Sequence, residues 1–540
     1  MIFSLILWPF ILYVFWEIIL KPYYYYWYYT SQGIISICVP KPLIFNLLIL
    51  KKILKNRYEY SEQILYEYYL KYFQNGEIPS IFIDFRAATG QLVISDPDIL
   101  QEIFVTKGKY VDKLYRVQKV FYGLTGESVL FEKTTERQAT KRKHLSAAFY
   151  KDKMSSNLKV IIRKTYAWIE RLKIEIKNGN NERELNSMIN QVIQDSILIS
   201  IFGETSLKQT MPFIQDDEVV EISLGFAAAN LFQALTIKAI TPLRTFVSFL
   251  DQYSIGKSER TLQKNQQTFR EYLQKLINER KVKMQDPNYV SADFLTMLLT
   301  DDLFKNDENL MKDELATFMT ASILTTTALI TNTLYYYEFQ PEVKQKLRKE
   351  ISAIMSPDRS NPAPFENLKL SPELWIEKLS YEQLQEDWKY LYLAIQESLR
   401  IEPPIRSSTP MQLCKTMKLG NYTVDQNTSI AVNFYLLHRN PKEWQEPSKF
   451  IPERFDPQSP YYLTPDGKKR KQCSYSPFLG GRRICLGKTF AENIAKCIIP
   501  IIISELDIKF KKDYHYEKKP PKYYSAEINV PIVLSTIQND

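Results

Sequence analysis

The stretch that decides the fold is Phe-Leu-Gly-Gly-Arg-Arg-Ile-Cys-Leu-Gly, residues 478–487. It carries one cysteine, Cys485, in a loop that leads into residues 488–506, where good helix formers and a long apolar face predict a helix. The first amides of a helix present hydrogen-bond donors and the positive end of the helix dipole, so they favour a thiolate at a nearby cysteine. Gly481 and Gly487 let the backbone approach a flat ligand closely, because glycine has no Cβ. If Cys485 binds a heme iron, each of these features has a physical role.

The neighbours of Cys485 fit a heme iron as that metal. Arg483 can donate a charge-assisted hydrogen bond to a heme propionate, and Phe478 can pack near the sulfur and exclude water. The simpler interpretation of a single cysteine is a small buried apolar side chain, as most buried cysteines are. The ten-residue pattern as a whole favours the heme interpretation, with Cys485 as the metal-binding residue.

The pattern Phe-x-x-Gly-x-Arg-x-Cys-x-Gly resembles the signature of the cytochrome P450 family, and it is complete here. The resemblance implies heme b as cofactor, with the Cys485 thiolate as the axial ligand that pushes electron density toward the iron. It also implies a mainly α-helical fold, with one large helical domain and a small β-rich lobe. The cofactor-binding residues that it implies in this loop are Phe478, Gly481, Arg483, Cys485 and Gly487.

Further matches extend over most of the chain. Residues 397–400, Glu-Ser-Leu-Arg, resemble the family's Glu-x-x-Arg helix, and residues 452–455, Pro-Glu-Arg-Phe, resemble a later box. In the family these two sites form a buried structural ion network, here Glu397, Arg400 and Arg454. A lone Glu-x-x-Arg is a weak signal, since it is also an ordinary pair on a helix surface. Its order and spacing ahead of the cysteine loop make it specific.

Composition and periodicity agree with this fold class and exclude others. The chain has 540 residues and a net charge of +9, and because no Lys/Arg block dominates a region, we expect no nucleic-acid partner. Five cysteines without a Cys-x-x-Cys pair argue against a disulfide scaffold or a structural zinc site. Helical periodicity is clear in residues 265–284, 312–339 and 341–355, and residues 81–94 alternate as in a β-hairpin.

The amino terminus predicts a membrane anchor. Residues 2–20 are almost all apolar, about long enough to span a bilayer as a helix, and we expect Lys21 and Pro22 to end that helix. The aromatic run at residues 23–29 suits the headgroup belt, and the lysines beyond it predict that this side faces the cytosol. A cleaved signal peptide is the alternative, but neither a basic start nor a small-residue cleavage site is visible.

These features predict three segments. They are a transmembrane anchor at residues 1–21, an aromatic and basic linker with a membrane-surface stretch at residues 22–56, and a heme-thiolate catalytic domain at residues 57–540. We expect a single-pass protein of the endoplasmic reticulum membrane whose catalytic domain faces the cytosol.

The sequence departs from the family over the expected oxygen site. The family's central helix usually carries an acid before its threonine, whereas residues 321–326 read Ala-Ser-Ile-Leu-Thr-Thr. The resemblance implies Thr325 and Ala321 as catalytic residues, and Leu324 stands where the acid is expected. A one-residue shift to Thr326 brings no acid either, and these threonines could instead only fill the helix surface. Oxygen activation needs protons, so water or another side chain has to replace the carboxylate of the usual relay.

A second departure concerns the contacts to the heme propionates. The family's Trp-x-x-x-Arg reads Gln138-Ala-Thr-Lys-Arg142. Arg142 can therefore still pair with a propionate, whereas Gln138 replaces the tryptophan and offers only a side-chain amide as a propionate contact. The arginine that the family carries some way after its double proline is not evident among residues 407–412. Arg406 is basic but lies closer to the prolines than the family pattern has it.

The resemblance implies a monooxygenase that inserts one atom of O2 into a lipophilic small molecule at a lipid membrane, with electrons from an NADPH-dependent reductase. Two alternatives stay open. An enzyme of the same fold that rearranges or dehydrates lipid hydroperoxides needs neither O2 nor a proton relay, which agrees with Leu324. A non-catalytic heme-binding sensor needs a second strong axial ligand, and Ser322 and Thr325 are poor iron ligands. No motif identifies the substrate or the electron donor.

Overall fold

The computed structural model describes residues 8–36 except 10 and 14, residues 78–240 except 87–88, 148–150 and 204–208, residues 253–511, and residues 530–537. The predicted membrane-surface stretch and the predicted start of the catalytic domain at residue 57 lie outside the described residues, as does the beginning of the predicted anchor.

Most of the described chain is helical. The helices that precede the long central helix are α1 (Lys21–Thr30), α2 (Pro97–Gln101), α3 (Tyr115–Thr125), α4 (Glu136–Ser146), α5 (Lys151–Lys177), α6 (Leu185–Phe202), α7 (Leu224–Ile240), α8 (Lys257–Lys283) and α9 (Phe294–Thr300). The central helix and those that follow are α10 (Glu308–Phe339), α11 (Pro341–Met355), α12 (Pro372–Lys378), α13 (Tyr381–Glu386), α14 (Lys389–Ile401), α15 (Phe434–Leu437) and α16 (Lys488–Glu505). The three periodic stretches predicted as helices correspond to α8, α10 and α11.

The centre of the helical domain is α10. Its N-terminus is capped by Asp307, whose side chain accepts a hydrogen bond from the Leu310 amide at 2.9 Å. Helices α6, α7, α14 and α16 pack around it. Among the described residues, α10 is the one helix long and apolar enough to cross a membrane, and 72% of its most apolar window is buried inside the fold. Burial in the core therefore accounts for its apolar character.

A small β-rich lobe, as predicted, adjoins the helical domain. The strands of the described chain are β1 (Ile35–Ser36), β2 (Ile81–Arg86), β3 (Thr89–Ile94), β4 (Val111–Lys113), β5 (Glu182–Glu184), β6 (Thr210–Gln215), β7 (Glu218–Ser223), β8 (Met411–Leu413), β9 (Met417–Leu419), β10 (Tyr422–Val424), β11 (Ser429–Val432), β12 (Leu506–Phe510) and β13 (Pro531–Thr536). The largest sheet has six strands in the order β1-β2-β3-β11-β8-β4, and three smaller sheets join β12-β13-β5, β9-β10 and β6-β7. Strands β2 and β3 form the predicted hairpin, with Ile83 opposite Leu92.

The amino-terminal helix does not end at Lys21 and Pro22, and that expectation is wrong. A π-helical turn, Trp16–Leu20, runs directly into α1, and the Lys21 amide donates to the Trp16 carbonyl oxygen. Proline fixes φ near the helical value, and the π-helical turn just before it provides the extra width that the ring and the missing donor require. The helix therefore continues through the aromatic run.

One face of α1 packs on the β-rich lobe. Tyr29 is only 1% exposed, and its hydroxyl oxygen lies 2.8 Å from Thr428 Oγ1. Tyr25 packs beside it against the same small core. Tyr24 and Trp27 lie on the other face and are 50% and 63% exposed. Part of the aromatic run thus belongs to the body of the fold, while the other face remains available to a membrane.

Candidate functional site

Cys485 lies between a short 3-10 turn, Gly481–Arg483, and the start of α16. Its amide donates a hydrogen bond to the Phe478 carbonyl oxygen at 2.9 Å, which closes the loop. The Phe478 ring is partly buried against the helical core. The Cys485 side chain is exposed by surface area, although dense protein surrounds it.

The surroundings of the Cys485 sulfur have opposing effects on the pKa of its thiol. Burial has the largest effect and raises the pKa of the Cys485 thiol above its ordinary value. The backbone amides of Gly487 and Lys488 and the charges of Arg142 and Lys113 oppose that rise in pKa, because all of them stabilise the thiolate. The loop therefore contains the donors and cations that a thiolate ligand requires, and a metal ion bound to the sulfur would displace the proton.

The glycines of the loop have different surroundings. A Cβ on Gly481, whose φ is +58°, would collide with the backbone oxygen of Phe104, so the close packing of that segment requires glycine there. A Cβ on Gly487 would lie 3.8 Å from the Cys485 sulfur, which is an ordinary contact. That the backbone at Gly481 and Gly487 approaches a flat ligand stays a prediction. At Gly481 the packing of the protein itself already excludes a side chain.

Arg142 and Arg483 both lie beside the loop. The Arg142 guanidinium donates to the carbonyl oxygen of Ile484, the residue before the cysteine. The Arg483 guanidinium donates to Thr134 Oγ1 at 2.9 Å and to Asp112 Oδ1 at 3.2 Å, and also to two backbone carbonyls. Burial lowers the pKa of both guanidinium groups, which stay charged. Arg483 is therefore engaged by an acid of the protein itself, whereas no acid pairs with Arg142 in the described part of the chain.

A third cation, which no motif indicated, lies in the same cluster. Lys113 ends β4 and is 5% exposed, and its ammonium donates to Thr409 Oγ1 at 2.9 Å. The pKa of Lys113 is lowered to about 8: burial is the largest cause and Arg483 acts in the same direction, while Asp112 and Cys485 oppose the shift. Residues 407–412, which Lys113 contacts through Thr409, contain no arginine.

The predicted ion network is assembled and fully buried. Arg400 Nε and Nη2 donate to the two oxygens of Glu397 at 2.7 Å each, and Arg454 Nε donates to Glu397 Oε1 at 3.1 Å. All three side chains are 0% exposed. Arg400 Nη1 also donates to the His438 carbonyl oxygen at 2.9 Å, and His438 Nε2 accepts from the Ser476 amide at 3.0 Å. The network thus connects α14 to the segment that leads into the cysteine loop.

One stretch of α10 is open along a side. Ala321 is exposed and Ser322, Leu324 and Thr325 are partly exposed, although the helix is otherwise mostly buried. Thr325 Oγ1 donates to the Ala321 carbonyl oxygen at 2.8 Å. Thr326 is buried, which favours Thr325 as the residue that faces open space. This side offers a hydroxyl, no acid and no strong iron ligand.

Comparison with known proteins decides the family. The family model described as Cytochrome P450 matches residues 39–531. The chain belongs to the cytochrome P450 family. It is 24% identical over 427 residues to (S)-N-methylcoclaurine 3'-hydroxylase isozyme 1 of Papaver somniferum, covering 78% of this chain and 80% of that protein. It is 23% identical to cytochrome P450 4V2 of Mus musculus, covering 88% of this chain and 84% of that protein.

The solved structure of a cytochrome P450, CYP102L1, shares the fold of this P450 with a TM-score of 0.65 at 19% identity, covering 85% of this chain and 91% of that one. The family match and the hydroxylase relative show that this P450 is an oxidoreductase of the monooxygenase type. Its cofactor is heme, with the iron bound by a cysteine.

The residues of this P450 fit that cofactor. Cys485 is the one cysteine of the described chain that is exposed while dense protein, two amide donors and two cations surround it. Cys473 and Cys497 are buried, and burial raises the pKa of Cys497 without any amide opposing it. Gln138, which replaces the family's tryptophan, is buried and donates to the Val129 carbonyl oxygen at 3.2 Å, so its amide is engaged inside the fold.

Proposed function

We propose that this P450 binds heme b through Cys485 and inserts one atom of O2 into a lipophilic small molecule, with electrons from an NADPH-dependent reductase. The observation that carries the proposal is the setting of Cys485: an exposed thiol with dense protein around it, two backbone amides at the sulfur, and a cluster of cations beside it. Heme, when bound, supplies the one-electron and oxygen chemistry. The protein supplies the ligand, the orientation and the protons.

The loop residues hold the cofactor in this proposal. Cys485 would bind the heme iron through its sulfur, and the Gly487 and Lys488 amides would favour the thiolate form. Phe478 closes the loop through its carbonyl oxygen and packs its ring on the core, which limits water at the sulfur. Arg142 and Arg483 bind propionates, and Arg483 does so while shared with Asp112.

Thr325 and Ala321 are the proposed catalytic residues. The Thr325 hydroxyl now donates to the Ala321 carbonyl oxygen, and it becomes a donor toward the open side of α10 when its side chain rotates. The Leu324 side chain has no ionisable group, so the proton that Thr325 transfers has to come from water. We therefore expect slower proton delivery than in a site with a carboxylate at this position.

Isotopic oxygen tests the reaction. The purified protein is given a reductase, NADPH and a cellular lipid extract under ¹⁸O₂, and the products are analysed by mass spectrometry. One labelled oxygen per product molecule, present with the native protein and lost with Cys485→Ser, supports the proposal. Cys414→Ser is the matched control, because Cys414 is also an exposed free cysteine and lies outside the loop. Product formation by Cys485→Ser at the native rate would refute it.

Leu324 favours a second candidate function. An enzyme that rearranges or dehydrates lipid hydroperoxides starts from a substrate that already holds both oxygen atoms, so it needs no proton relay for O2. In this case added lipid hydroperoxides disappear without NADPH, and no label enters from ¹⁸O₂. Label incorporation that depends on NADPH excludes this candidate.

We propose that the protein is anchored in the endoplasmic reticulum membrane by one amino-terminal helix, with domain bounds at residues 1–21, 22–56 and 57–540. Support comes from the exposed apolar side chains that precede α1, among them Trp8, Leu12 and Trp16. Residue Tyr29, buried on the β-rich lobe, ties this helix to the body of the fold. Carbonate extraction and protease protection of microsomes test the proposal. A protein that alkaline carbonate releases is not membrane-spanning.

The proposed electron donor is an NADPH–cytochrome reductase or a similar acidic partner. The exposed cations next to Cys485 are Arg482 and Lys488. The basic loop at residues 468–471 contributes less, because Lys468 pairs with Asp466 at 2.7 Å and Lys471 with Asp98 at 2.6 Å. Reduction rates that fall with Arg482→Gln and not with the loop variant Lys469→Gln support docking at the cysteine loop.

A further inference from the structure

A buried acid lies near the start of the central helix α10, two turns ahead of the stretch that is open along a side. Glu314 is 0% exposed, and its Oε1 accepts a hydrogen bond from the Val129 amide at 2.8 Å. Its second oxygen, Oε2, is buried and has no hydrogen-bond partner in the described part of the chain. A buried polar atom of this kind costs free energy unless another group pairs with it. The free oxygen of Glu314 therefore requires a partner that the described residues do not supply.

The direction of Glu314 on the helix connects it to the open side of α10. Ala321 comes seven residues after Glu314, and at about 100° per residue it lies only about 20° away around the helix axis. Thr325 comes eleven residues after Glu314 and lies about 20° to the other side. The rise of a helix separates Glu314 and Thr325 by about 16 Å along the axis. A proton crosses such a distance only along a chain of hydrogen-bonded groups.

Thr317 provides one group of such a chain. It lies one turn after Glu314 and is buried, and its Oγ1 has no partner among the described residues either. The next residue, Phe318, packs its ring on Phe294 of α9 with the ring centroids 4.0 Å apart, so a polar path along the helix passes Thr317 instead. Buried water typically makes about three hydrogen bonds to polar groups that lack partners. Such water can join Glu314 and Thr317 to the Ala321 carbonyl oxygen, which already accepts from Thr325.

Charged groups connect the other side of Glu314 to solvent. Lys141 and Glu132 both interact electrostatically with Glu314. The Lys141 ammonium is 0% exposed and donates to Glu132 Oε2 at 2.7 Å, and the Glu132 side chain is 12% exposed. The neighbouring acid on α10, Asp313, has both oxygens engaged, one by Arg270 at 2.7 Å and one by a backbone amide at 2.8 Å. Of the two acids on this turn, Glu314 is therefore the one with a free oxygen.

The surroundings of Glu314 also favour its protonated form. Burial is the largest cause that raises the pKa of Glu314 to about 8; Asp313 and Glu132 act in the same direction, while the Val129 amide and Lys141 oppose the shift. The carboxyl group therefore holds a proton at neutral pH. Glutamine would keep the shape and the hydrogen bond from Val129 without a titratable group, so the packing by itself does not require an acid at this position.

We propose that Glu314 supplies the proton that Thr325 transfers, through buried water beside Thr317, and that it thereby takes over from the acid missing at Leu324. This inference rests on the proposed insertion of oxygen from O2. Glu314 Oε2 releases its proton to the water, and the water protonates Thr325 Oγ1 as that hydroxyl gives up its own proton. The Glu314 carboxylate then takes up a proton from solvent past Glu132. No electrons move in these steps, and Glu314 returns to its protonated form.

The product formed per NADPH consumed tests the proposal on the full-length holoprotein with its reductase. Glu314→Gln should lower this ratio by about tenfold, with more hydrogen peroxide per NADPH, because reduced oxygen that receives no proton in time is released to solvent. Thr317→Val removes the unpartnered hydroxyl and should lower the ratio by about threefold. Thr320→Val is the matched control. Thr320 is buried on the same helix, about 120° around the axis from Glu314, and its hydroxyl donates to the Ala316 carbonyl oxygen at 2.8 Å.

A double variant separates proton supply from a merely structural role of Glu314. Leu324→Asp places a carboxyl group beside Thr325 and makes supply from Glu314 unnecessary. In the Leu324→Asp background, Glu314→Gln should therefore lower the product per NADPH by less than about twofold, whereas a structural defect would act equally in both backgrounds. A full tenfold loss in that background overturns the proposal, as does an unchanged ratio in Glu314→Gln alone. Equal effects of Thr317→Val and Thr320→Val overturn it as well.

The measurement with ¹⁸O₂ separates this proposal from the one on which it rests. A native protein that incorporates no label refutes the proposed monooxygenation. A native protein that incorporates label, with Glu314→Gln forming the native amount of product per NADPH, refutes only the role of Glu314. Should Glu314→Gln not fold, Thr317→Val decides, and a native ratio in that variant overturns the proposal.

Discussion

Replacement of Glu397 by glutamine is expected to destabilise the catalytic domain severely. The carboxylate accepts hydrogen bonds from Arg400, from Arg454 and from the Ile451 amide, the last at 2.8 Å. Glutamine has the same shape, but it removes the negative charge and places an NH2 group against two buried guanidinium groups. Breaking a buried ion pair costs about 3–5 kcal/mol because it leaves an unpaired buried charge. Two cations depend on Glu397, so the expected loss lies at the upper end of that range.

A loss of this size is comparable with the whole stability of a domain, about 5–15 kcal/mol. Urea unfolding of the full chain, followed by circular dichroism, measures it. Arg359→Gln is the control, since its bidentate pair with Asp387 is half exposed and is expected to contribute about 0–1 kcal/mol. If Glu397→Gln lowers the free energy of unfolding by less than about 1 kcal/mol, the network is not the structural element described here.

Three further predictions concern other sites. Burial raises the pKa of Glu314 from 4.5 to about 8, so the free energy of unfolding should fall as the pH rises from 4.5 to 8. Glu314→Gln should remove this pH dependence in urea unfolding. At pH 8 the variant should be more stable than the native protein by up to about 5 kcal/mol. Gly481→Ala should cost at least about 2 kcal/mol in the same assay, because φ is positive and the Phe104 oxygen occupies the space of the Cβ; an unchanged free energy would contradict the packing. Leu324→Asp places a carboxylate next to Thr325 and should raise the product formed per NADPH by about tenfold, and an unchanged ratio would show that this position does not limit proton delivery.

Much of the site was predictable because its signals are local in sequence. The cysteine loop is ten consecutive residues, and its hydrogen bond from Cys485 to Phe478 closes over seven positions. Glu397 and Arg400 are one helical turn apart, so a helix at that place alone brings them together. The apolar period that predicted α10 and α11 likewise depends only on neighbours along the chain.

Other predictions failed or were missing where the outcome depended on distant segments. Lys21 and Pro22 ordinarily favour the end of a helix, but the helix continues, and its far end packs Tyr29 on the β-rich lobe, beside Thr428. The close packing that requires glycine at Gly481 comes from Phe104, nearly four hundred positions earlier. No window of sequence contains both members of such a pair, so periodicity and spacing carry no information about it.

The sequence by itself determined the family, the thiolate loop, the ion network and the loss of an acid at Leu324. Each of these features depends on residue identity or on the spacing of residues within one element. The geometry of a helix or a loop places residues at a given spacing in contact. The tertiary structure alone decided that Thr325 and not Thr326 faces open space, and that Lys113 joins Arg142 and Arg483. Those positions follow from how α10 packs and how β4 pairs with β8, and burial and charge balance exist only once these elements have come together.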